Sequence, residues 1–196
     1  MGCSGSTPSP LPDGTIPLYL RVVGDDHPRA CTGRRLLRLR LVESFRGEGG
    51  RRHHPILLDP HANAPLSTAD RPRALTEGVL AIDCSWNRVG ERGGLPVGVG
   101  GGGAAHRRLP YLLAANPQHF GRLSELNTAE AIAAALWLLG ERERAERLLS
   151  GFAGGTAFFT INGAALARYG PCRGQEEIEA AERELFAPGA DHGGTR

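Results

Sequence analysis

Lysine is absent from the 196 residues, so all 23 strongly basic side chains are arginine. That absence removes two kinds of chemistry. The glycine run at 98–103 has no Walker ammonium to reach a nucleotide phosphate, and no lysine is available for a Schiff base, so P-loop hydrolysis and pyridoxal catalysis are excluded. Cysteine is scarce too. Cys3, Cys31, Cys84 and Cys172 never form C-x-x-C, which gives neither a zinc knuckle nor a disulfide framework and fits a reduced, cytoplasmic protein. The seven histidines, with His53 and His54 adjacent, show no ligand spacing, and no metal is expected. No apolar run approaches the length of a membrane span, so no membrane partner is expected. Residues 1–13, without a basic n-region or an apolar h-region, are read as a disordered leader, and residues 188–196 as a disordered tail.

The charge is unevenly spread. Residues 1–124 hold 16 arginines against 10 acids, whereas residues 125–196 hold 7 against 11. Arginine crowds further at Arg29, Arg34, Arg35, Arg38, Arg40, Arg46, Arg51 and Arg52, opposed there only by Glu43 and Glu48. A basic front half suits a polyanion such as nucleic acid. A solvated face in an arginine-biased composition is the competing reading, and the composition leaves both open.

Hydrophobic patterning divides the chain in the same place. "IPLYLRVVG" (16–24), "PILLDP" (55–60) and "GVLAIDC" (78–84) read as strands, the last nearly continuous in apolar residues as a strand covered on both faces should be. Between them, "TGRRLLRLRLVESF" (32–45) predicts an amphipathic helix with a basic exposed side, and "STADRPRALTEG" a short helix interrupted near Pro72. Strand, helix, strand, helix, strand implies a mostly parallel sheet, whose ligands collect beyond the carboxyl ends of the strands. Asp83 to Asn87 stand there. The stretch 90–108 reads as a mobile glycine and arginine insertion, and "LPYLLAANP" (109–117) as a buried segment. Helices follow over 127–140, 141–152, 156–169 and 175–186, the first opened by Asn127 with Glu130 three residues on, a capping arrangement. The expected organisation is a basic α/β domain over 14–124 and a helical domain over 125–187.

Several segments in order carry a specific resemblance: "ACTGRRL" (30–36), "ILLDPHANAPLSTADR" (56–71), "GVLAIDCSWNR" (78–88), "RRLPYLLAANPQHFG" (107–121), "LNTAEAIAAALWLLGERERAERLL" (126–149) and "FAGGTAFFTIN" (152–162). Together they resemble the small-subunit (16S/18S) rRNA aminocarboxypropyltransferases. The resemblance implies a SPOUT-like, knotted α/β domain with a mostly parallel sheet, followed by an all-α domain. It implies transfer of the 3-amino-3-carboxypropyl group of S-adenosylmethionine to N3 of a modified uridine in small-subunit rRNA, within the pre-ribosomal small subunit. Gly154 departs from the family, which commonly has tryptophan there. With the glycine-rich insertion, it leaves room for a non-catalytic ribosome-assembly factor. A SPOUT-type rRNA methyltransferase is the other alternative, and a monomer is expected.

The resemblance also assigns residues. Thr32 matches a position at the carboxylate end of the cofactor, Ile82 one whose backbone meets the ribose, and Leu109 one that meets adenosine. Ser124 and Thr128 match two further cofactor positions across the domain junction. Asp83 is the candidate for the reaction itself: its carboxylate could bind the cofactor's amino group, soften the sulfonium field or help remove the N3 proton, and capping a strand end is its structural alternative. Trp86 could close the pocket by backbone and packing, or serve as plain core. Asn116 could fix its loop or bind ligand. For RNA phosphates the candidates are Arg34, Arg35, Arg38, Arg51, Arg52, Arg107 and Arg108.

Overall fold

The structure, a computed structural model, describes residues 14–23, 32–45, 54–83 and 103–186. The expected leader and tail, the loop 46–53 with Arg51 and Arg52, and the segment 84–102 with Trp86 lie outside the described residues.

The front half is a sheet of five strands: β1 (Leu18–Val22), β2 (Glu43–Ser44), β3 (Ile56–Leu58), β4 (Val79–Asp83) and β5 (Ala105–Arg107). Their spatial order is β2-β1-β4-β3-β5 and every pairing is parallel, so all five carboxyl ends open on one edge. β4 lies at the centre, with Val79, Leu80 and Ala81 buried, as its continuous apolar run requires. The helices are α1 (Thr32–Arg38), α2 (Arg71–Glu77), α3 (Thr128–Leu138), α4 (Arg142–Ser150), α5 (Gly155–Tyr169) and α6 (Gln175–Leu185), with a 3-10 turn at Thr68–Asp70 ahead of α2.

Three local expectations are corrected. The helix predicted over 32–45 ends at Arg38. Arg40 turns into the left-handed region at φ 55°, and the Leu41 N–H closes back on the Leu36 carbonyl at 3.1 Å, so the chain re-emerges as β2. Leu36 and Val42 are buried on either side of that break, so a short helix and an edge strand together produce the apolar spacing of one long helix. Within the stretch expected to be a mobile insertion, Ala105–Arg107 forms β5, held by the Ala105 N–H on the Pro55 carbonyl and the Arg107 carbonyl under the Asp59 N–H. Its sequence, Ala-His-Arg, carries no strand pattern. Pro72 does not interrupt a helix but sits in the first turn of α2, where a missing N–H costs no hydrogen bond.

The helical half follows its sequence signals closely. The Asn127 side chain accepts from the Glu130 N–H at 2.9 Å, and Glu130 Oε2 accepts from the Asn127 N–H at 2.9 Å, the reciprocal cap that the spacing predicts. Arg71 of α2 donates to the Leu139 carbonyl at the end of α3, joining the two halves.

The connection from β5 to α3 is the unusual part. Leu112, Ala114, Ala115 and Asn116 are buried, yet the segment belongs to no strand of the sheet, so its amides and carbonyls need other partners. Backbone pairing with residues 121–124 serves Leu112 and Ala114, and side chains from three helices serve others. Asn162 of α5 accepts from the Leu113 N–H and donates to the Leu113 carbonyl, each at 2.8 Å, mimicking a strand neighbour, and donates also to Phe158 O in its own helix. Glu130 of α3 accepts from the Ala115 N–H at 2.8 Å and from Asn116 Nδ2 at 2.7 Å. Glu182 of α6 accepts from the Tyr111 N–H at 3.0 Å, and the Tyr169 hydroxyl donates to the Tyr111 carbonyl at 3.1 Å.

Gly154 belongs to the same joint. It sits at φ +79°, and a Cβ there would lie 2.2 Å from the Ala115 carbonyl oxygen. In this chain the position therefore needs glycine, and the departure expected from the resemblance coincides with a close backbone approach. Replacing Asn162 by Leu, which keeps the volume and removes the amide, strands both polar groups of Leu113. Urea unfolding should show a loss of about 2 kcal/mol or more with unchanged helix content, and an unchanged midpoint would refute that role.

Candidate functional site

β4 delivers Asp83 to the middle of the open edge of the sheet. Its carbonyl accepts from the Val23 N–H at 3.0 Å, carrying the β1 to β4 pairing to its last residue. Its carboxylate meets the starts of two helices. Oδ2 accepts from the Gly33 N–H of α1 at 3.2 Å, and Oδ1 accepts from the hydroxyl of Thr128, the first residue of α3. A carboxylate placed there also lies at the positive ends of the backbone dipoles. The approach to α1 is so close that a Cβ on Gly33 would stand 2.5 Å from Asp83 Oδ2, which explains the glycine after Thr32.

The structure brings Thr32, Ile82, Asp83 and Thr128 to this one junction. Ile82 lies half-buried just before Asp83, opposite Arg21 in the sheet register. Leu109, two residues beyond β5, is half-buried against the core. Ser124 turns the chain toward α3 at φ 62°, exposed, with its N–H on the Leu112 carbonyl at 2.8 Å. At the start of α1, Thr32 stands where the resemblance puts the carboxylate end of the cofactor. The Gly33 N–H is already spent on Asp83, so that donor is not reserved for a bound carboxylate. The hydroxyl link from Thr128 to Asp83, 45 residues apart, had no sequence signal beyond the two residues themselves. Asn116 is settled as a loop-fixing residue: Nδ2 donates to Glu130 and Oδ1 accepts from the His119 N–H at 3.0 Å.

The arginine candidates separate into two sets. Arg34, Arg35 and Arg38 lie exposed on α1, Arg35 with its guanidinium 5.0 Å from the centre of the Phe152 ring. Arg107 instead pairs with Asp70 through Nε at 3.0 and 3.2 Å. Arg108 makes a bidentate pair with Glu182, Nη1 to Oε1 at 2.6 Å and Nη2 to Oε2 at 2.8 Å, and lies over the Tyr111 ring. The hydrogen bond to Glu182 raises the Arg108 guanidinium above its ordinary value despite partial burial. Both Arg107 and Arg108 thus tie elements together, and a phosphate would have to compete with a carboxylate already in place. Among the described residues no three His, Cys, Asp or Glu side chains gather as metal ligands would, and no helix is long and apolar enough to cross a membrane.

Comparison with known proteins converges on the same set of elements. Residues 56–186 match the family described as "Ribosome biogenesis protein, C-terminal". The 16S rRNA aminocarboxypropyltransferase of Halobacterium salinarum is 40% identical over 174 residues, 89% of this chain and 99% of its own. The 18S rRNA aminocarboxypropyltransferase of Schizosaccharomyces pombe is 34% identical over 171 residues, 87% of this chain and 57% of that longer protein. The solved SAM-dependent rRNA:acp-transferase Tsr3 of Vulcanisaeta distributa superposes with a TM-score of 0.75 at 33% identity, covering 87% of this chain and 88% of that one. Its SPOUT-like order of a parallel sheet followed by a helical part is the order found here. On these matches the chain belongs to the small-subunit rRNA aminocarboxypropyltransferases.

Proposed function

We propose that the protein transfers the 3-amino-3-carboxypropyl group of S-adenosylmethionine to N3 of a modified uridine in small-subunit rRNA during ribosome maturation, acting as a monomer in the cytoplasm. The observation that carries this reading is the Asp83 carboxylate, fixed by Gly33 and Thr128 at the carboxyl edge of a parallel sheet. The residues suit the cofactor: a carboxylate for the ammonium of its amino-acid arm, and the apolar flanks of Ile82 and Leu109 for its nucleoside. When bound, S-adenosylmethionine supplies a sulfonium-activated Cγ, to which N3 bonds as the C–S bond breaks, releasing methylthioadenosine and leaving the N3 proton to solvent or a base.

The work left to the protein is orientation and electrostatics. The hydrogen bonds from Gly33 to Oδ2 and from Thr128 to Oδ1 fix the orientation of the Asp83 carboxylate, and an ionised carboxylate is the acceptor an ammonium needs. Because these donors come from α1 and α3, binding there requires the sheet edge and the helical part to be seated together. Arg34, Arg35 and Arg38 on α1 supply phosphate contacts beside that edge, and Arg51 and Arg52 extend the basic run in sequence. Of the two features that suggested a non-catalytic assembly factor, Gly154 is accounted for by its contact with Ala115.

Incubation with S-adenosylmethionine and pre-ribosomal small subunits should release methylthioadenosine and leave an aminocarboxypropyl nucleoside detectable by mass spectrometry. S-adenosylhomocysteine as the sole product would replace this reading with methyl transfer. Asp83→Ala should weaken cofactor binding or turnover tenfold or more, about 1.4 kcal/mol. Full affinity and rate in a folded variant would return Asp83 to a strand-end cap. The phosphate role is read from salt dependence: Arg34→Gln with Arg38→Gln should reduce the slope of log K against log salt by roughly 1.4 to 1.8 while cofactor affinity stays constant. An unchanged slope would remove α1 from the RNA surface.

A further inference from the structure

The chain between β5 and α3 doubles back on itself, and the tip of that turn is exposed. Leu113 and Leu123 face each other in an antiparallel bridge, with the Ala114 N–H on the Arg122 carbonyl at 2.9 Å and the Ser124 N–H on the Leu112 carbonyl at 2.8 Å. The tip is fixed further by the Gly121 N–H on the Ala114 carbonyl, the Arg122 N–H on the His119 carbonyl and the Asn116 side chain under the His119 N–H. At this tip Phe120 is 64% exposed, the most exposed large hydrophobic side chain among the described residues, and Leu123 is 42% exposed beside it. An isolated exposed hydrophobic residue needs no explanation, but a phenyl ring held out on a backbone pinned at both ends is presented rather than left over.

Its surroundings identify the kind of partner. His119 and Arg122 flank the ring in sequence and share one carboxylate, Glu125, with Arg122 Nη1 at 3.1 Å and His119 Nδ1 on the same oxygen. The His119 hydrogen bond, aided by Arg122, holds the Glu125 carboxyl below its usual range, so an ion-paired group that includes the Arg122 guanidinium flanks the ring. The segment then runs directly through Ser124 to Thr128, whose hydroxyl holds Asp83, so the ring stands on the same turn that leads into the candidate site. N3 of a uridine stacked in a helix cannot reach a cleft, and an enzyme acting on it must receive an unstacked nucleotide. Rigid aromatic rings beside arginines are the usual platforms for such bases.

We propose that Phe120 is a stacking platform for an unpaired rRNA base next to the nucleotide that enters the site. The proposal rests on the rRNA reading of the site. It differs from the phosphate contacts of α1 in being a π-face contact with little dependence on salt.

The test compares Phe120→Leu, which keeps an apolar side chain, with Phe120→Trp, which keeps a π-face, on the full chain. The probe is a single-stranded uridine-containing rRNA oligonucleotide carrying 2-aminopurine beside the uridine, titrated without turnover. Wild type and Phe120→Trp should change the 2-aminopurine fluorescence on binding. Phe120→Leu should lose that change and bind about tenfold more weakly with the salt slope unaltered, since stacking on an aromatic ring typically contributes that much or more. S-adenosylmethionine affinity should be the same in all three. Equal affinity and fluorescence response in Phe120→Leu would overturn the proposal, as would a wild type that gives no response. So would a wild-type dimer that Phe120→Leu converts to monomer, because the ring would then be covered by a second copy. If the stacking signal appears but no methylthioadenosine forms on ribosomal substrate, the transfer reading fails while the platform stands.

Discussion

The structure depends on satisfying the backbone of a buried segment that belongs to no sheet. Residues 109–116 pass between the last strand and the first helix of the C-terminal half, and Leu112, Ala114, Ala115 and Asn116 among them are buried. A buried unpaired amide or carbonyl costs about 1–3 kcal/mol, so several left open would rival the net stability of a domain. Backbone pairing with residues 121–124 closes part of this gap, and Asn162, Glu130, Glu182 and the Tyr169 hydroxyl close more of it from three different helices. The helical half therefore cannot detach without exposing that deficit, and the two halves share one core.

That shared core gives the site its geometry. Asp83 ends a strand of the sheet, but one of its carboxylate partners, Thr128, opens a helix of the other half. The position of Thr128 is in turn set by the Asn127–Glu130 cap, whose carboxylate also holds Ala115 and Asn116. A single buried glutamate thus links the cap of α3, the irregular segment and, one residue beyond the cap, the hydroxyl on the candidate catalytic carboxylate. Changes at Glu130 would reach Asp83 without either residue touching the other.

The basic surface shows how tertiary structure redistributes charge that looks uniform in sequence. Arg34, Arg35, Arg38, Arg107 and Arg108 are alike as letters in a chain without lysine. Arg107 and Arg108 fall where Asp70 and Glu182 arrive from distant parts of the chain, and the planar guanidinium makes the bidentate pair with Glu182 that an ammonium could not. Arg34, Arg35 and Arg38 lie exposed on α1, so one composition yields both struts between elements and arginines on the surface.

What the sequence determined by itself was whatever depends on neighbours along the chain. The continuous apolar run of β4, the Asn127–Glu130 cap and the four helices after residue 125 were legible because propensity, periodicity and capping are local. The family motifs likewise marked Asp83, Thr32 and Thr128. The end of α1 at Arg38 and the strand character of Ala105–Arg107 were not legible, since a helix can be cut short by a demand elsewhere, and an edge strand of three residues is defined by its partner's hydrogen bonds. The need for glycine at 33 and 154 was hidden for the same reason, each set by an atom, Asp83 Oδ2 or the Ala115 carbonyl, dozens of residues away. Only the tertiary structure decided that two helix starts would meet on one carboxylate, because convergence of that kind is fixed by which buried polar groups must find partners across the fold.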